Sequence, residues 1–286
     1  MAVLGERHAS RARWVAGGLA ALAFVGWVVA ANSSSPPLES ASFAANQVGM
    51  SSASTACPTL KFFGVRGSGE TATENGGYAP TVAAVKNDLG ALVDGLSATA
   101  INYPAINVLW WDPNYEVDYN ESVSVGVLHL LTSFYAFKAN CPQTDVVFGG
   151  YSQGADVVLQ TFQELSNADQ ARVIVVTLGD PHFNPNQRWI DEGNFNPKFQ
   201  AILVHFWGDP PHSFPRSDAD HVQSWCSQGD PICNYHAGDG LGCLQALLPF
   251  DNRCAHLQYA QIGYTFEAAY WAYSAWVGPQ IAGLSF

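Results

Sequence analysis

The stretch Asp145-Val146-Val147-Phe148-Gly149-Gly150-Tyr151-Ser152-Gln153-Gly154, running on into 155–165, decides how this chain folds. A short apolar run of strand character ends in a glycine-flanked serine, and helical periodicity begins directly after it. A serine at a sharp strand-to-helix turn needs small residues two positions to either side. Gly150 and Gly154 meet that need, and Gly149 loosens the approach further. Such a turn holds the Ser152 hydroxyl clear of the sheet. It also aims the Gln153 backbone N–H, at a helix N-terminus, toward the place where a tetrahedral oxyanion forms. The strand and helix on either side argue against a chance match in a glycine-rich chain.

Outward from this turn, short apolar runs alternate with amphipathic stretches. Strands are expected at 60–65, 100–103, 145–149, 173–178 and 202–207, and helices at 80–96, 122–140, 155–165 and 259–277. The first strand ends in the turn Gly67-Ser68-Gly69. This alternation predicts an α/β fold: one domain from residue 57 onward, with a mostly parallel sheet covered on both faces. Segments 183–200 and 234–255 are rich in Asn, Pro, Gly and His and read as loops or insertions. Loops at the ends of α/β strands usually shape the ligand site. No internal repeat is found.

Composition narrows the function classes. Hydrophobic residues make up 48% of the 286 and charged residues 13%, which excludes disorder for most of the chain. A net charge of −12, with sparse Lys and Arg, leaves no basic face for a nucleic-acid partner. Arg7, Arg11 and Arg13 precede the apolar run 14–31, the pattern of an export segment. Val29-Ala30-Ala31 offers a cleavage site before Asn32, and Ser42-Phe43-Ala44 a later one. The run is long enough that an uncleaved membrane anchor also fits, and both readings carry the remainder out of the cytoplasm. Residues 32–56 read as a flexible Ser/Ala-rich leader. A monomer is expected.

The six cysteines, Cys57, Cys141, Cys226, Cys233, Cys243 and Cys254, all follow the export segment. An even number in an exported chain points to disulfides, with the pairing open on spacing alone. Paired Cys-x2-Cys or Cys/His spacing for zinc is absent from the sequence.

A catalytic serine needs a base and an orienting acid, which on a sheet of this kind follow it in chain order. Asp230 sits in a short loop between Cys226 and Cys233, and His256 lies between Cys254 and the C-terminal helix. Asp180, in Gly179-Asp180-Pro181, is the runner-up acid, with a turn-forming role as its alternative. Asp209 and Asp239 show turn chemistry alone. His205, His212, His221 and His236 match no metal-ligand spacing and read as loop or core histidines. Asp112, Glu116 and Asp118 read as a solvated acidic loop in preference to a glycosidase pair. Trp110 and Trp111 read as packing in preference to a sugar platform.

The order of motifs resembles the cutinase family, including its actinobacterial cutinase-like serine esterases. The matching pieces are Cys57, Val65-Arg66-Gly67-Ser68-Gly69-Glu70, Tyr103-Pro104-Ala105, Cys141-Pro142, Gly149 to Gly154, Gly229-Asp230-Pro231-Ile232-Cys233 and His256-Leu257-x-Tyr259. They span 57 to about 275, nearly all of the expected domain. The resemblance implies a three-layer α/β-hydrolase-type fold stapled by disulfides Cys57–Cys141, Cys226–Cys233 and Cys243–Cys254. It implies Ser152 as nucleophile, Asp230 as orienting acid and His256 as general base. The oxyanion hole would come from the Gln153 and Ser68 backbone N–H groups, with the Ser68 hydroxyl as a third donor. It implies no metal or organic cofactor. The substrate would be an ester or lipid: a cutin-like polyester or a short to medium fatty-acyl ester first, then envelope or host lipids, then acetylated xylan. A scaffold kept only for binding would lack a member of the triad, and all are present here.

Overall fold

Six consecutive buried residues in each of β1 (Leu60–Val65), β3 (Val146–Tyr151) and β4 (Val173–Leu178) place these strands at the centre of a sheet. Their sequences are mostly apolar because both faces are covered, with Lys61 and Thr177 as the polar exceptions. The computed structural model describes residues 56–107, 113–237, 243 and 254–282. Around the central strands run α1 (Ala79–Leu92), β2 (Leu96–Ala100), α2 (Tyr115–Asn140), α3 (Gln153–Glu164) and α4 (Asn167–Gln170). After β4 come β5 (Asp191–Glu192), α5 (Ile202–Phe206), β6 (Val222–Trp225) and α6 (Tyr264–Ala282).

The sheet order is β2-β1-β3-β4-β6-β5, with every pairing parallel. Alternation along each strand divides the core into two layers. Phe63, Val65, Phe148 and Val175 pack with Val123, Leu130 and Phe134 of α2 and Val158 and Phe162 of α3. Phe62, Val147, Ile174 and Val176 pack with Val82, Val85 and Leu89 of α1 and Ala268, Ala269 and Ala272 of α6. Each such large buried side chain contributes about 1.5–3 kcal/mol relative to exposure. This is the expected three-layer α/β architecture.

The chain leaves β1 toward β2 on one side and continues from β3 toward β4 on the other. The loops after β1 and β3 therefore diverge, opening a crevice at the carboxyl ends of these two strands. Ser68 follows β1 and Ser152 follows β3, so both stand at that switch point.

Several boundaries differ from expectation. The helix expected to 96 ends at Leu92, because Asp94-Gly95, with Gly95 at φ +80, turns the chain into β2. The second strand is thus 96–100 instead of 100–103. Residues 202–207, expected as a strand, instead hold the five-residue helix α5, capped by Trp207. Its amides bond one turn back, as in His205 N–H to Ala201 O, and only one side is apolar and buried. The strand beside β4 is β6 instead, whose Val-Gln-Ser-Trp sequence hides it. β5 lies within the 183–200 segment and caps the sheet edge. α2 begins at Tyr115, seven residues earlier than expected, and α6 begins at Tyr264, after Gly263 at φ +87 breaks the preceding turn.

Disulfides join Cys57 to Cys141, Cys226 to Cys233 and Cys243 to Cys254. Among the described residues no helix is long and apolar enough to cross a membrane. The apolar run 14–31, the leader up to 55, Trp110, Trp111, Asp112 and Asp239 lie outside the described residues.

Candidate active site

The Ser152 turn is built by close packing. Ser152 has φ +54 and ψ −125, a conformation that L residues rarely hold. A side chain on Gly150 would come within 2.3 Å of the Gly154 carbonyl oxygen, and one on Gly154 within 2.1 Å of the Val65 oxygen. The turn is locked to the neighbouring strand by the Ser152 N–H donating to Leu178 O at 3.0 Å. Strain of this kind costs of order 1–3 kcal/mol and persists only where the surroundings enforce it.

Asp230 and His256 meet above the ends of β4 and β6. Asp230 Oδ2 lies 2.8 Å from His256 Nδ1, although the two are 26 residues apart. The carboxylate is fully buried and held by further donors: Tyr259 OH to Oδ2 at 2.6 Å and Ile232 N–H to Oδ1 at 2.8 Å. The Cys226–Cys233 disulfide closes the loop that carries it. Tyr151, next to Ser152, stacks on the His256 ring with centroids 4.8 Å apart and donates its hydroxyl to His256 O at 2.7 Å. Burial pushes the Tyr151 and Tyr259 phenols well above their usual range, so both remain donors at working pH. Neither tyrosine was singled out from sequence for this role, because a buried tyrosine reads as core packing.

Gly179 supplies the space on which this couple rests. It sits at φ +65, and a Cβ there would lie 2.7 Å from His256 Cε1 and 3.1 Å from Asp230 Oδ2. Gly179→Ala is expected to displace the imidazole and lower kcat about a hundredfold, with a smaller change in KM. Activity at the parent level in that variant would show that His256 is not held against this turn.

The loop after β1 is strapped by its own motif. Buried Arg66 donates to the carbonyls of Glu70, Ile101 and Tyr103, and Tyr103 OH donates back to Arg66 O at 2.7 Å. The Gly69 N–H donates to Ala105 O at 2.8 Å, and the Gly67 N–H to Glu70 Oε2 at 2.6 Å. Ser68 is thus presented on a rigid turn. Gln153 is fully buried; its Oε1 accepts from Ser122 at 3.2 Å, and its Nε2 has no partner among the described residues.

Other candidates fall elsewhere. Asp180 Oδ2 pairs with His212 Nδ1 at 2.9 Å, not with His256. Asp209 faces His182 at 3.3 Å. Glu116 and Asp118 are exposed in the first turn of α2, where the helix dipole favours them. His221 contacts Val173 O, while His205 and His236 lie against Tyr235 and Phe199.

Two carboxyls near this end of the sheet titrate unusually. Burial pushes Glu70 up to about 7, against the pull of the Gly67 N–H, and pushes Asp191 up to about 8. Between the ordinary carboxylate range and these values, the folded chain holds protons that the unfolded chain has released. The stability they contribute is complete in acid and is lost as pH rises through those values. Tm is therefore expected to be higher in mildly acidic than in mildly alkaline buffer, and Asp191→Asn to flatten the upper part of the decline. A Tm rising steadily with pH would contradict this.

The Cutinase family profile matches residues 56–275. Acetylxylan esterase 2 of Talaromyces purpureogenus is 29% identical over 186 residues, covering 62% of this chain and 76% of that protein. Carboxylesterase Culp1 of Mycobacterium tuberculosis is 30% identical over 176 residues, covering 60% of this chain and 62% of that one. The chain therefore spans a little under two thirds of the Culp1 length. The solved catalytic core of acetyl xylan esterase from Trichoderma reesei has the same fold, with TM-score 0.58 and 22% identity over 77% of this chain and 99% of that one. The chain belongs to the cutinase family of carboxylic ester hydrolases.

Proposed function

We propose that this chain is a secreted serine esterase acting on a cutin-like polyester or on short to medium fatty-acyl esters, through an acyl-enzyme on Ser152. The strained Ser152 turn, at the switch point between β1 and β3, carries the reading. His256 takes the Ser152 proton as the hydroxyl attacks the ester carbonyl, then delivers it to the leaving alcohol. Asp230 holds the imidazole in the tautomer that presents Nε2 to the serine, and Tyr259 and Ile232 hold that carboxylate in place. The N–H groups of Gln153 and Ser68, with the Ser68 hydroxyl, receive the developing oxyanion. Water then repeats the sequence and releases the acid. Three disulfides support folding in an oxidising compartment, in keeping with an export segment at 1–31.

Similarity to acetylxylan esterase 2 favours a second reading, removal of acetyl groups from a polysaccharide. Rates on p-nitrophenyl esters from acetate to palmitate separate the two. The fatty-acyl reading expects a maximum between butyrate and octanoate. A maximum at acetate with a steep fall beyond it favours the polysaccharide. Hydrolysis of none of them would overturn both.

A further inference from the structure

Beside the Ser152 turn, a second group of ionisable side chains converges that the proposed ester chemistry does not use. Asp156 comes from the first turn of α3, Asp180 and His182 from the turn after β4, and His212 from the segment after α5. One donor atom from each lies within 4.8 Å of every other. Asp156, Asp180 and His182 are 0%, 1% and 8% exposed, so this is an interior cluster, unlike a surface acidic patch.

The arrangement of the two carboxylates is specific. Asp156 turns Oδ2 to the Tyr119 hydroxyl and Oδ1 to His182 Nδ1 at 2.7 Å, with His212 Nε2 at 3.7 Å from the same oxygen. Asp180 turns Oδ1 to the His182 backbone N–H at 2.9 Å and Oδ2 to His212 Nδ1 at 2.9 Å. Each carboxylate thus has one oxygen fixed by a neutral donor and presents the other to the shared centre. Outer-shell donors orient carboxylate ligands of metal ions in this way. The two imidazoles face one another edge to face, with centroids 5.2 Å apart.

We propose that Asp156, Asp180, His182 and His212 form a zinc site. Two carboxylates and two neutral imidazoles are a ligand set that zinc takes in tetrahedral geometry. Tetrahedral bonds of about 2.0–2.1 Å place ligand atoms about 3.3 Å apart, between the closest and widest separations seen here. A divalent ion also offsets the charge of the two buried carboxylates. Asp209, partly exposed, lies 3.3 Å from His182 Nε2 on the far side of that ring. Chain spacing concealed the site because its ligands come from three separate segments, with only Asp180 and His182 near each other in sequence. The ion would tie the start of α3 to the turn after β4, whose Gly179 supports His256. It sits apart from the ester chemistry and braces it.

The test uses the purified full-length chain, stripped with EDTA and titrated with Co2+ alone and then with Zn2+. The proposal expects intense visible bands of tetrahedral Co2+ that saturate at one equivalent and are bleached by one equivalent of Zn2+. It also expects a zinc-dependent rise in Tm of several degrees. His212→Gln, at the most exposed ligand, is expected to abolish the bands. If that variant does not fold, X-ray absorption of the zinc-loaded parent reads the ligand set, expected as two imidazole nitrogens and two carboxylate oxygens. A parent chain with no tetrahedral Co2+ spectrum and a Tm indifferent to zinc would overturn the proposal and leave a closed network of ion pairs. Bands that persist in folded His212→Gln, or a shell of oxygens alone, would overturn it as well.

Discussion

Ser152→Ala is expected to lower hydrolysis of a short p-nitrophenyl ester by at least ~10⁴-fold, with the fold retained. The substitution removes one oxygen and leaves Tyr151, the His256 stack and the Ser152 N–H bond to Leu178 in place. Far-ultraviolet circular dichroism and Tm should therefore match the parent. Alanine at φ +54 keeps the strain that serine bears, so little stability is expected to return. Ser152→Gly separates the two effects: it is equally inactive but relaxes the turn and raises Tm. Activity within tenfold of the parent in either variant would remove Ser152 from the mechanism.

The second large effect is Asp230→Asn, expected to lower kcat by about 10³–10⁴-fold while KM changes little. An amide in this position offers His256 Nδ1 either a weaker acceptor or an NH2 group. The second choice reverses the tautomer and turns a protonated Nε2 toward Ser152. The Tyr259 and Ile232 donors were arranged for a carboxylate and aggravate the loss. Asp180→Asn is expected to cost far less, because Asp180 bonds His212 Nδ1 and the His182 N–H in place of Ser152 or His256. Measuring kcat in both variants ranks them; the reverse order would transfer the orienting role to Asp180.

These two predictions differ in how legible they were. The Ser152 turn could be read from residues alone, since its glycines answer a steric demand: a Cβ at Gly150 or Gly154 would lie 2.3 or 2.1 Å from a carbonyl oxygen. The central strands were equally plain, because a strand buried on both faces is mostly apolar, and Lys61 and Thr177 interrupt these runs without breaking them. β6 escaped notice because Gln223 and Ser224 interrupt its apolar character, and β5 because two residues hold no period. The 202–207 run deceived in the opposite direction: five of its six residues wind into a helix that buries Ile202 and Leu203 and exposes Phe206. Asp230 and His256 were chosen from many downstream candidates by resemblance, as no local signal records that loops 26 residues apart will meet. The roles of Tyr151, Tyr259 and Gly179 were not legible for the same reason. Their roles exist only in the contacts that the sheet's carboxyl edge assembles.

The central claim is that Ser152 is the acyl-forming nucleophile, and covalent labelling tests it most directly. The purified chain is treated with a fluorophosphonate, digested and sequenced by mass spectrometry. A single phosphonyl adduct on Ser152, absent in Ser152→Ala and greatly slowed in Asp230→Asn, is the predicted result. A folded chain that takes no label, or one that carries it on another residue such as Ser68, would contradict the account.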